Sequence, residues 1–190
     1  MKNSYRKRVY ELAADNAGVI TIAKAEAAGV PAVELRKLTA RGALERCGRG
    51  VYRVPFFPVE RKNQYIEVTD MVGPDSYIGG DSVLMFLDIG VSFPKKMQVV
   101  THARVRKSLP SFVLLDHRKG EPKFDVIHEV RCEPVYQVLK NKIGREETER
   151  IIQDIDEAFE LGFINNSKHT ELSDLANNFV FHEVPILTNH

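Results

Sequence analysis

The first third of the chain passes between helical and extended hydrophobic periods with no spare segment. Tyr5, Val9, Leu12 and Ala13 recur at i, i+4, i+7 and i+8, which predicts an amphipathic helix to about Asn16 with Ser4 as its N-cap. Gly18, Val19 and Ile20 make a short extended step. Thr21 then caps a second, alanine-rich helix over 22–28, and Ala28-Gly29-Val30 is a tight turn. Pro31 suits a first helical position, because its fixed φ fits there and its missing N–H would be unpaired anyway. In the helix it opens, Leu35 and Leu38 mark the inward face, with Ala32 and Gly42 near its edges. At about 100° per residue the opposite face carries Val33, Arg36, Lys37 and Ala40. Two extended runs follow, 43–46 and 51–54, joined by Cys47-Gly48-Arg49-Gly50. The two glycines permit the positive φ of a tight hairpin, with Arg49 at its tip. Helix, strand, helix, helix, strand, strand is the order of a winged helix-turn-helix.

Beyond this the pattern changes. Pro55 and Pro58 bracket Phe56-Phe57 as a stiff hinge, so the chain divides into a DNA-binding domain over 1–57 and a second domain over 58–190. The second domain reads as mixed α/β, which makes the whole chain α+β. A helix over 60–73 leads through a turn at Pro74-Asp75 to a strand over 76–79. Asp81 or Ser82 caps a short helix through Leu87, ended by Gly90. Strands are expected over 97–101, 112–115 and 124–130, separated by basic or Gly/Pro turns. Glu133-Pro134 opens a helix with Val135, Val138 and Leu139 inward. Glu146 opens a longer one with a stripe of Ile151, Ile152, Ile155, Ala158, Phe159 and Gly162, and a last helix spans 171–178. The tail over 179–187 is apolar. It fits an extra strand, a clasp on a partner subunit, or packing on its own domain.

Charge sharpens this division. The overall +1 conceals a basic first segment, 11 Lys/Arg against 5 Asp/Glu over 1–55, on an acidic remainder with 16 against 21. A net +6 on the helix-turn-helix fits a nucleic-acid module carried by something else. Arg6, Lys7 and Arg8 flank the first helical stripe within reach of phosphates, although a cationic first turn is also an ordinary solvated surface. The N-terminus lacks a signal peptide's apolar core and no window approaches membrane-spanning length, so a cytoplasmic protein is expected. Cys47 and Cys132, without any CxxC, are expected to be reduced.

Catalytic constellations are weak. Gly79-Gly80-Asp81-Ser82 resembles the Gly-Ser loop of nucleotidyltransferases, but no DxD on a strand follows to hold metal ions. Asp154-Ile155-Asp156 lies in a helix, where residues two apart point about 200° apart and cannot share a metal. His102, His117 and His128 sit near strand ends without metal-site spacing. The expectation is no enzyme, no metal and no cofactor. A second basic surface is formed by Lys95, Lys96, Arg104, Arg106 and Lys107, beside His102. Arg104 and Arg106 share one face if that segment is extended. Phosphate, RNA, an acidic protein or plain solvent all suit it.

The run GVITIAKAEAAGVPAVELRKLTARGALERCGRGVYRV resembles the N-terminal winged helix of the AbiEi-type antitoxins, the antitoxin half of abortive-infection toxin–antitoxin pairs. That family shows a "GV(I/V)T" step, an "A…AGV" helix and turn, an "L..L…G.L.R…G.Y" recognition helix, and the wing. The likeness covers residues 5–54 and continues into YIGGDSVLMFLDIGVSFPKKMQVVTHARVR. There the chain departs from the family pattern with Gly80-Asp81 before Ser82, and with Phe86-Leu87-Asp88 in place of a polar or His-Gly step. The resemblance implies a phage-defence antitoxin and autorepressor that binds inverted repeats in its own promoter, two copies cooperatively. It implies a C-terminal domain that opposes a nucleotidyltransferase-like toxin without a stable complex. Val33, Arg36, Lys37 and Ala40 would then enter the major groove, with Arg41, Arg46, Arg49 and Arg53 holding phosphates or the minor groove. Two other readings stand beside it. One is a regulator answering a small ligand through its C-terminal domain, and the other is a protein-interaction module that packs helix 31–41 on a partner.

Overall fold

The computed structural model describes residues 2–58, 60–106 and 108–179, with side chains from Tyr5 onward. The N-terminal elements follow the expected order: α1 (Lys2–Ala14), β1 (Val19–Thr21), α2 (Ile22–Ala27), α3 (Ala32–Ala40), β2 (Glu45–Gly48) and β3 (Val51–Arg53). α1 begins at Lys2, so Ser4 lies inside the helix rather than capping it. The Thr21 hydroxyl accepts the Lys24 N–H at 3.1 Å and starts α2 as expected. Pro31 is the N-cap of α3, one position before the expected first turn. β3 is the central strand of an antiparallel sheet ordered β1-β3-β2. Val9 and Ala13 of α1, Leu35 and Leu38 of α3, and Ile20, Leu44 and Tyr52 from the sheet close one core. Leu35 is fully buried, a contribution of about 2 kcal/mol from its side chain alone.

The hairpin turn differs from expectation in one respect. Gly50 has φ +81°, but Gly48 is not left-handed and ends β2 instead, just past a bulge between Arg46 and itself. A Cβ at Gly48 would stand 2.9 Å from the Met71 side chain, whose flexible end would have to shift.

The second lobe comprises α4 (Arg61–Val72), β4 (Tyr77–Ile78), α5 (Asp81–Leu87), β5 (Met97–Thr101), β6 (Val113–His117), β7 (Asp125–Ile127), β8 (Val130–Cys132), α6 (Val135–Lys142), α7 (Thr148–Glu160) and α8 (Asn166–Asn178). Its mixed sheet runs β6-β5-β4-β8-β7, parallel at β5/β6 and β4/β8. The single strand expected over 124–130 is a hairpin, because His128 and Glu129 both take positive φ (48° and 69°) and reverse the chain. α8 starts at Asn166, five residues before the expected 171, behind an Asn165 side chain that accepts the Lys168 N–H. On α7 the buried stripe narrows to Ile151, Ile155 and Ala158, leaving Phe159 exposed against the His169 ring. Among the described residues no helix is long and apolar enough to cross a membrane. The apolar tail beyond Phe179 lies outside the described residues.

Where the sequence suggested a hinge at 55–58, the structure has a packed joint. Alternate residues of the wing sheet face opposite ways: Ile20 and Tyr52 point into the helix-turn-helix core, while Val19 and Val51 join Tyr65, Val68 and Val72 of α4 in the larger core. Phe57 covers Gly18, whose φ of +81° and lack of a Cβ allow the approach. Asn63 Nδ2 donates to the Ala17 carbonyl at 2.5 Å. Asp70 of α4, its side chain 4% exposed, accepts from Asn16 Nδ2 at 3.2 Å, Lys24 Nζ at 3.4 Å and Arg131 Nη2 at 3.0 Å. One carboxylate thereby ties α2 of the first lobe to β8 of the second.

Candidate nucleic-acid interface

The inward pull of Leu35 and Leu38 fixes the rotation of α3 and leaves Val33, Arg36, Lys37 and Ala40 exposed. Lys37 lies on Glu34 of its own helix at 2.7 Å. Across from α3 the wing supplies Arg46 and Arg49, so an open groove of about 730 Å³ runs between helix and wing. Arg36, Thr39 and Ala40 form one wall, Arg46, Arg49 and Gly50 the other, and Ile22 and Tyr52 the floor. Three of the five side chains in the two walls are guanidinium-bearing. Arg46 Nε donates to the Gly48 carbonyl at 3.1 Å, which holds that side chain along the wing. Arg41 is exposed at the C-cap of α3, outside the groove, as are Val33 and Lys37. Ile22, Thr39 and Tyr52 were missed by the sequence reading. Thr39 had one signal, its position one turn after Leu35, whose carbonyl its hydroxyl bonds at 2.9 Å.

Arg53 corrects the expected set. Its guanidinium bonds Glu45 at 2.8 Å and Glu67 at 3.2 Å, and its side chain is only 28% exposed. The Glu45 hydrogen bond, opposed by partial burial, holds its pKa above the ordinary arginine value. Glu67 belongs to α4, so Arg53 pins the wing to the second lobe and is not free for phosphate.

The residues of the second basic surface come from both ends of β5. Lys95 and Lys96 precede β5 whereas Arg104 and Arg106 follow it, about 17 Å along the strand. β5 and β6 are parallel, so the 102–112 connection must cross back along the sheet. Val105 packs on the core in that crossing and turns Arg104 and Arg106 outward together. Lys107 lies outside the described residues. Of the histidines, Nε2 of His102 meets the Tyr77 hydroxyl at 3.3 Å, His117 is exposed at the end of β6, and His128 sits edge-on to Phe86 in the hairpin turn. Among the described residues no three His, Cys, Asp or Glu side chains gather as a metal site. Asp154 points inward to Lys142 at 3.7 Å, while Asp156 meets His169 at 2.7 Å.

Gly79-Gly80 is a structural socket. Gly80 N–H donates to Glu133 Oε2 at 3.0 Å, and Glu133, buried at 2% exposure, is held by Arg118, which Asp116 also grips. The Glu133 hydrogen bond raises the Arg118 pKa against the opposing burial. A Cβ at position 79 would fall 2.6 Å from Val100.

Helix, groove and wing define a winged-helix domain on an α+β body. Residues 7–55, the segment from α1 through β3, match the model of the family described as "Transcriptional regulator, AbiEi antitoxin". No curated protein matches the chain. Among solved structures it is similar to the RV2827C protein from Mycobacterium tuberculosis, at 14% identity and a TM-score of 0.47, over 91% of this chain and 77% of that one.

Proposed function

We propose that the protein is a DNA-binding antitoxin that represses its own operon and opposes a nucleotidyltransferase-like toxin encoded with it, acting as a binding protein rather than an enzyme. The observation that carries the DNA-binding half is the groove in which Arg36 and Ala40 of α3 face Arg46 and Arg49 of the wing. α3 enters the major groove, where Arg36 reads a guanine edge bidentately and Ala40 lets the helix approach closely. Val33 and Lys37, on the same exposed face, meet bases or phosphates beside it. Arg41, Arg46 and Arg49 hold phosphates on either side and set register without reading sequence. Inverted repeats in the promoter would bring two copies together on DNA. The α4 joint fixes the wing against the second lobe, so the body that opposes the toxin and the reader of the operator move as one unit.

Fluorescence anisotropy on DNA from immediately upstream of the gene tests this, with a scrambled duplex as control and Arg36→Glu/Lys37→Glu beside the native protein. Selective binding lost in the double variant supports the reading. Equal affinity for both duplexes sinks autorepression.

A further inference from the structure

The outward face of α3 has an apolar centre. At about 100° per residue, the buried Leu35 and Leu38 set the inward direction, and Val33 and Ala40 each lie about 10° from its opposite. Arg36 and Lys37 flank that line at about 50° to either side. Val33 is 45% exposed, and nothing in the fold covers it. One exposed valine on a solvated surface needs no explanation. At the centre of a face presented to DNA it displaces water from whatever it meets, and that restricts the partner. We propose that Val33 is a specificity-determining residue that packs on the 5-methyl group of a thymine, beside the guanine read by Arg36. The inference rests on the DNA-binding reading above and names the base that the reading leaves open.

The chemistry of the groove decides the base. A valine side chain neither donates nor accepts a hydrogen bond. Over guanine, adenine or cytosine it would strip water from N7, O6 or an exocyclic amine and offer nothing in return, which is costly. The thymine methyl is the one apolar group that the bases present in the major groove. Position agrees with this. Val33 is the second residue of α3, and the N-terminal residues of a recognition helix are the ones that reach base edges. Its neighbours do not compete for the same base. Lys37 is held on Glu34 at 2.7 Å, and Glu34 is only 23% exposed. Arg36 has no hydrogen bond or ion pair among the described residues and is left for guanine. From Val33 to Arg36 the helix advances about 4.5 Å, against about 3.4 Å for one base step, so the thymine lies one or two base pairs from that guanine.

The test is anisotropy of the full chain on promoter DNA in which each thymine is replaced in turn by uracil, which removes only the methyl. The expected result is one position per half-site at which uracil weakens native binding about fourfold, the worth of one buried methyl-sized group. Val33→Ala, at an exposed position, leaves the fold intact. It should weaken the thymine duplex by a similar factor and treat thymine and uracil alike. Its salt slope should match the native one, because no phosphate contact is lost. Replacing guanine by 7-deazaguanine, which lacks the N7 acceptor, should locate the Arg36 contact one or two base pairs away. Val33→Ala should keep that effect and Arg36→Ala should abolish it. Selective promoter binding with no sensitive thymine overturns the proposal and leaves the repressor reading intact. A uracil effect that persists undiminished in Val33→Ala overturns it equally. Equal affinity for promoter and scrambled duplexes removes both readings, and Val33 then marks α3 as a face for a protein.

Discussion

Arg49 and Arg53 lie four residues apart in one wing, and the structure gives them different work. Each cation that neutralises a B-DNA phosphate contributes about −0.9 to the slope of log K against log salt. Arg49→Ala should therefore flatten that slope by about 0.9, so the loss of affinity between 50 and 200 mM salt shrinks by about 3.5-fold. Arg53→Ala should leave the slope unchanged, because Glu45 and Glu67 already neutralise this guanidinium. Its cost appears in stability. Glu45 is 54% exposed and its pair is worth little, but Glu67, at 14%, is left against α4 with no cation. After discounting for solvent, about 1 kcal/mol is lost, or roughly 2–4 °C in Tm for a chain of this size. The assay is anisotropy on promoter DNA at five salt concentrations, with thermal melts of the same preparations. A slope lowered by about one in Arg53→Ala with an unchanged Tm would refute the reasoning, since the ion pairs would then open on DNA.

Three further outcomes follow from the second lobe. Lys142 is 9% exposed among Asp81, Glu146 and Asp154, of which only Asp154, at 4%, is buried, so Lys142→Met leaves one buried carboxylate without its cation and should destabilise by about 3 kcal/mol, read by urea unfolding; a loss under 1 kcal/mol would contradict the geometry. Gly90→Ala should destabilise more than a surface glycine change, because φ is +62° and the new Cβ would lie 2.0 Å from Asp154 Oδ1; equal melts for Gly90→Ala and Gly120→Ala would dispose of that. Stability should fall in alkali. Burial pushes the Cys132 thiol from 9.0 up to about 12, so between those values the unfolded chain releases a proton the folded one keeps, at up to about 1.4 kcal/mol per pH unit. Hydrogen bonds to Asp81 and Glu146 raise Lys142 in spite of its burial, and its contribution is likewise lost as pH rises through its folded value. A Tm independent of pH from 9 upward would exclude both shifts.

What the sequence disclosed and what it concealed divide along a physical line. Elements whose cause is local were legible. Thr21 three residues before Lys24, Leu35 three before Leu38, and Gly50 at the hairpin each act within one turn of chain, and the order of elements in the winged helix came out as expected, with the first wing strand two residues later. Elements whose cause lies across the fold were not. The His128-Glu129 turn uses no glycine, so a strand interrupted by two positive-φ residues looks continuous in sequence. Gly48 reads as a turn glycine, yet it lies at the end of β2 and the side chain closest to where its Cβ would stand is Met71, on another element.

The same division separates the site residues. Exposure of Arg36 follows from the helical period, which the sequence contains. Neutralisation of Arg53 follows from Glu67, fourteen positions on, and no pattern within the wing announces it. An arginine count therefore overstates the phosphate contacts a wing can make. The number that matters is how many guanidinium groups remain after the fold has taken its own. Asp70 is the converse case: a charged residue in the apolar run of α4 reads as a solvated position, until Asn16 from the turn after α1, Lys24 of α2 and Arg131 of β8 are brought onto it. That convergence makes the joint rigid and also leaves the Arg131 Nε–H without an acceptor.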